Sequence, residues 1–321
     1  MANATGVSSM ALTNEQIERR SLEIGKWGNL FMAVAGVAAA HFSKSDALLV
    51  DGLYSGVNFA SAIVAARISV SVARPASRRY PFGYDALEAL YVTFRSLVLL
   101  GIMVFAVTTA ISKIVSYAAG GEMPELVFGP ILIYSAVMVV TCVALAVWHR
   151  HNWKRSGQQS EILMTENRAS VVDAVISGGV GGGFVAALLL RGTTLELLVP
   201  ISDSIIVLVM CAVIVRQPAA MFFGALREVA GAAAAPEVVE AVKKDLEELL
   251  ADRPYQLLDV IVTKLGRGHF VVSFVKPDEP IDGETADQLW LDLNTALKEH
   301  LGRVHTEIVI AAQGPYEESE T

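Results

Sequence analysis

Of the 321 residues, 53% are hydrophobic and 18% are charged, and the mean hydropathy is +0.49. That balance excludes an ordinary soluble domain and fits a membrane protein with a soluble appendage. The net charge of −8 is unevenly spread, with acids crowded into the last third, and no basic patch interleaved with aromatics points to nucleic acid.

The first 21 residues read as a polar N-terminal tail without the basic–apolar–small pattern of a cleaved signal, and 13–20 can start a short amphipathic helix. Six apolar segments follow, near 22–41, 46–70, 87–117, 127–148, 165–190 and 195–215. Each is close to the ~20 residues that span hydrocarbon. The very short connection after the first forces an antiparallel helical hairpin. Arg74, Arg78 and Arg79 mark one basic loop; Arg150, Lys154 and Arg155 mark a second. Bases in short loops face the cytoplasm, so both termini are expected there. Cys142 and Cys211 lie far apart in apolar segments and read as small core residues.

The second segment carries Asp51, Tyr54, Ser55 and Asn58 at helical spacing, with 51, 55 and 58 on one face. Polar groups at membrane depth face a partner or a water-filled path, which makes this stretch a candidate site. Counting 1.5 Å per residue puts Asn58 ~18 Å from one surface and Asp173 ~12 Å from the other. Together these depths match the ~30 Å hydrocarbon core, so the second and fifth segments can meet there. By the same count Asp51 and Glu166 stand at opposite mouths. Arg95, near the depth of Asp173, could neutralise an acid or pair with Glu88, and Asp203 could cap a broken helix or line a vestibule. The run from Gly178 to Gly183 suits close helix packing or a bend. His149 and His151 are expected to add charge to the second basic loop.

After a linker at 217–235 the pattern changes. Residues 236–251 form an amphipathic helix. Alternating strands at 257–264 and 269–275 flank a Gly266-Arg267-Gly268 turn, a helix covers 285–301, and a last strand covers 304–311. The expected fold is therefore an α-helical membrane protein (22–216) with a small C-terminal α+β, ferredoxin-like domain of order α-β-β-α-β (236–312). One uncovered apolar sheet face favours a homodimer. An acidic tail (313–321) closes the chain.

Arg74-Pro75, then Tyr80-Pro81-Phe82-Gly83-Tyr84 and Glu88, resemble the signature between the second and third spans of the cation diffusion facilitator family. Asp51 to Asn58 resemble its second-span motif, and Glu166, Ala169 and Asp173 its fifth-span motif. The resemblance implies a dimeric inner- or plasma-membrane exporter that exchanges a divalent cation for protons and needs no cofactor. It places the cation among Tyr54, Asn58, Ala169 and Asp173, of which Asp173 alone keeps a charged ligand. Carboxylate, phenol and amide oxygens suit Mn²⁺, Fe²⁺ or Mg²⁺, with Zn²⁺ as a further candidate. Asp173, Asn58, Tyr54, Asp51 and Glu166 are thus the expected metal-handling residues. A rival expectation is a non-transporting scaffold or partner subunit in which Arg95 replaces the cation. A membrane hydrolase finds no nucleophile–base pattern.

Overall fold

The computed structural model describes residues 14–72, 74–155 and 160–315. The expected N-terminal tail up to residue 13 and the acidic stretch from 316 lie outside the described residues. The chain divides into two compact units: residues up to 63 with 98–216, and 64–97 with 217 onward.

The first unit is helical. α1 (Asn14–Ser43) runs unbroken, so the amphipathic start and the first apolar segment are a single helix of 30 residues. Lys44, with φ of 60°, turns the chain in the left-handed region, and α2 (Asp46–Val72) begins two residues later. α3 (Ala86–Ala118), α4 (Phe128–Arg155) and α5 (Glu161–Leu189) follow. A short 3₁₀ turn, Glu196–Ile201, then leads into α6 (Ser202–Ile214).

By length and composition, five stretches among the described residues can cross a bilayer: Asp46–Val72, Ala86–Ala118, Phe128–Arg155, Glu166–Leu189 and Glu196–Ile214. The first expected span is absent from these because Glu23, Lys26 and Asn29 dilute the apolar run in α1. Within this unit Met32, Leu48, Met103, Ile131, Met138 and Phe184 belong to one buried cluster.

Glycines set how closely these helices approach. A Cβ on Gly36 of α1 would stand 2.6 Å from the Cα of Gly52 on α2, so the two backbones touch where both lack side chains. A Cβ on Gly181 of α5 would meet Ser135 of α4 at 2.8 Å, and one on Gly183 would meet Ile206 of α6 at 3.1 Å. The glycine run therefore serves close packing, as small residues do between helices in lipid, and α5 continues through it.

In the second unit most of the expected linker is helix, α7 (Arg216–Val229). α8 (Pro236–Leu250) precedes β1 (Tyr255–Leu265) and β2 (Gly268–Pro277), which pair antiparallel. α9 (Gly283–Leu301) crosses over to β3 (Val304–Ile310), which pairs parallel to β2, giving the order β1-β2-β3. Alternate strand residues Val260, Val262, Val271 and Val275 share one core with Val242 and Leu246 of α8 and Leu289 and Leu293 of α9. Both helices thus cover one sheet face. On the other face Ile261, Phe270, Val272 and Phe274 are half-buried and Val309 is exposed.

The loop between α2 and α3 belongs to this unit and docks on the sheet. Gly266 is required twice over: its φ is +58°, and a Cβ there would lie 2.2 Å from the Asp85 carbonyl oxygen. Beside it Arg267 Nε meets Glu88 Oε2 at 2.7 Å. Arg303 donates to the Val72 carbonyl at 2.7 Å, capping the last residue of α2, and lies 3.3 Å from Asp85. Phe82 packs edge-on against both Phe270 and His305, whose rings stack with centroids 5.3 Å apart. Burial raises the Asp85 carboxyl above its ordinary range, while Arg303 pulls it down.

Candidate cation site

α2 presents Asp51, Tyr54, Ser55 and Asn58 on successive turns, and the fold buries Ser55 while leaving the other three half-buried. Tyr54 packs against the buried cluster of the membrane helices. Asp51 is held from α4: the Tyr134 hydroxyl donates to its Oδ2 at 2.6 Å. The same hydroxyl would lie 2.9 Å from a Cβ on Gly36. The Gly36–Gly52 crossing therefore does two things, bringing α1 against α2 and leaving space for the phenol that fixes Asp51.

Asp173, on α5, is half-buried and lies within Coulombic range of both Asp51 and Glu166. Cys142 of α4 stands in range of both aspartates, its buried thiol 3.6 Å from the Met32 sulfur. Three helices thus converge on one acidic locus. Depth counting assigns Asp51 to a mouth and pairs Asn58 with Asp173. In the folded chain Asp51 also lies within Coulombic range of Asp173. Asn58 is half-buried two turns further along α2, and Ala169 is exposed on α5.

Among the described residues, no group of three or more His, Cys, Asp or Glu side chains stands close enough to hold a metal ion. Two carboxylates with hydroxyl, phenol and amide oxygens nearby on α2 remain as the donor chemistry. Such oxygens suit hard or borderline divalent cations.

Other expected residues have structural partners. Asp203 opens α6 and accepts from Ser45 Oγ at 2.5 Å, Asp46 N at 2.9 Å and Ala47 N at 3.2 Å. It caps the N-terminus of α2, not its own helix, and Ser45 adds a cap to Leu48 N at 3.3 Å. Lys113 of α3 pairs with Asp46 at 2.5 Å. Glu88 is engaged by Arg267, so its role lies in the loop–sheet junction. His149 is no loop charge: it is 1% exposed inside α4, with Nδ1 2.9 Å from Ser21 Oγ on α1. Asn152 donates to the same hydroxyl at 3.3 Å.

Sequence alone singles out neither Tyr134 nor Gly36, and it offers Asp203 as a cap without showing that the helix capped is α2. An intramembrane phenol and a glycine at helical offset from polar neighbours were the available signals, but neither reveals which helix it will meet.

Residues 24–228 match the family model described as the cation efflux transmembrane domain. No curated protein matches the chain.

Proposed function

The chain belongs to the cation efflux family, an integral, multi-pass membrane protein that transports metal cations, and we propose that it exports a hard or borderline divalent cation in exchange for protons. The observation that carries this reading is the convergence of Asp51 and Asp173 from two membrane helices. In a low-dielectric setting two such carboxylates repel unless something positive stands between them. A divalent cation satisfies both at once. When it leaves, a proton on one carboxylate relieves the repulsion, so cation release and proton uptake are linked.

Asp173 is the central ligand and proton carrier, and Asp51, oriented by Tyr134, is the second carboxylate. Tyr54 and Asn58 supply oxygens along α2, and Glu166 draws cations toward Asp173. Mn²⁺, Fe²⁺ and Mg²⁺ fit this donor set better than Zn²⁺.

α1 forms a sixth span, its Lys26 and Glu23 paired at 2.5 Å so that the two charges offset each other. Both termini are cytoplasmic, in keeping with the two arginine-rich loops. The working unit is a homodimer, supported by the half-covered apolar sheet face and by Phe94, Leu97, Val104, Phe105 and Ile111 exposed along α3.

The test is flux. Purified protein in liposomes moves Mn²⁺ or Fe²⁺ when a proton gradient is imposed, and Asp173→Ala abolishes the movement. If no divalent cation moves, the scaffold reading with Arg95 in place of the cation replaces this one.

A further inference from the structure

α7 begins one residue after the last span and has two unlike faces. One is used inside the protein: Pro218 and Ala225 are buried, and Glu228 accepts from Lys264 at 2.9 Å and from Gly266 N at 3.1 Å. On the opposite side Arg216, Phe223 and Arg227 fall within ~40° of one another at 3.6 residues per turn, with Leu226 beside them. All four are exposed, Phe223 at 62% and Leu226 at 41%. The face thus carries two large apolar side chains between two guanidiniums ~16 Å apart along the axis, and the acid of the helix points elsewhere.

We propose that this face of α7 lies in the membrane interface and binds anionic lipid headgroups, the two arginines on phosphates and Phe223 and Leu226 in the acyl boundary. Three observations select lipid as the occupant. The helix is joined by Val215 alone to a segment long and apolar enough to cross a bilayer. The exposed face pairs aromatic and aliphatic groups with bases, the composition of helices lying in the interface. Its charge is wholly positive, complementary to anionic headgroups. On the other side of the same helix Glu228 holds the β1–β2 turn.

The test uses full-length Phe223→Cys protein carrying an environment-sensitive fluorophore, in nanodiscs with a doxyl group near the lipid headgroup. Cys142 and Cys211 are buried, which favours labelling at 223. Gly224→Cys is the control, one residue along on another face, where a Cβ meets nothing within 4 Å. Quenching at 223 is expected to exceed that at 224 by about threefold or more, and more in phosphatidylglycerol-containing discs than in phosphatidylcholine alone. Arg216→Gln with Arg227→Gln should remove that lipid dependence, and added salt should weaken it. Equal quenching at 223 and 224 would overturn the proposal. So would a label shielded in detergent in proportion to protein concentration, which would assign the face to a second copy. Equal quenching in the two lipid compositions would overturn the anionic part.

Discussion

Asp203 and Asp173 are both carboxylates in membrane helices, and they keep opposite company. Asp203 is 4% exposed and surrounded by donors: a hydroxyl and two backbone amides at the first turn of α2. Asp173 has two further carboxylates, Asp51 and Glu166, within Coulombic range. Donors around a buried acid hold a fold together, whereas acids around an acid leave a negative site that a cation can fill. The same residue type therefore caps a helix at one end of α2, where it is buried, and under the proposed function handles the cation from α5, where it is half-buried.

The largest effect that could break this comparison is expected at Asp203. Replacing it with Ala strips the α2 terminus of its acceptor and leaves Ser45 Oγ and two amides unmatched. A loss of about 3 kcal/mol is expected, read as a lower thermal midpoint in detergent. Asp173→Asn should do the reverse: flux is lost while the midpoint holds or rises, because a like-charge repulsion has been removed. If Asp173→Asn unfolds the protein as Asp203→Ala does, the distinction between the two acids fails.

Gly36→Ala comes next, at about 1–3 kcal/mol, since its methyl would press on Gly52 and on the Tyr134 hydroxyl. Its signature would be combined: a lower midpoint together with weaker cation affinity, because the phenol that orients Asp51 is displaced. Tyr134→Phe removes the bond to Asp51 without steric change. It should cost about 1 kcal/mol and raise the KM for Mn²⁺ several-fold more than it lowers kcat. An unchanged KM would leave Tyr134 as packing alone.

The smallest effect lies in the sheet domain. Burial, reinforced by Lys264, holds the His269 imidazole below its ordinary range. The unfolded chain therefore takes up that proton first as pH falls. Stability is complete above about pH 6.5 and declines as pH drops through that value. His269→Gln should flatten the decline in a melt followed between neutral and mildly acidic pH, separating a half-buried group of the sheet domain from the acids of the membrane helices.

Much of the fold is legible in the residues, because its signals are local. Gly266-Arg267-Gly268 announces a tight hairpin, the 3.6-residue period places α8 and α9, and apolar length marks six segments, five of which coincide with described helices long and apolar enough to cross a bilayer. α7 was less legible, since its glycine and alanines resemble a linker and its apolar face becomes distinct only when wound into a helix. In the candidate site, Asp51, Glu166 and Asp173 stand out as charges at membrane depth. Their ranking does not, because depth along a helix depends on tilt, which neighbouring helices set.

Sequence by itself determined the membrane class, the α-β-β-α-β domain and the acids worth watching, since periodicity, length and charge act within one segment. Only the tertiary structure decided that Asp203 caps α2, that Tyr134 holds Asp51, and that the α2–α3 loop is clamped by Arg267 and Arg303. Each of these joins groups dozens of residues apart. What brings them together is the packing of separate segments, as where the bare Gly36–Gly52 contact leaves room for the Tyr134 hydroxyl and Gly266 admits the Asp85 carbonyl, and no single segment carries that.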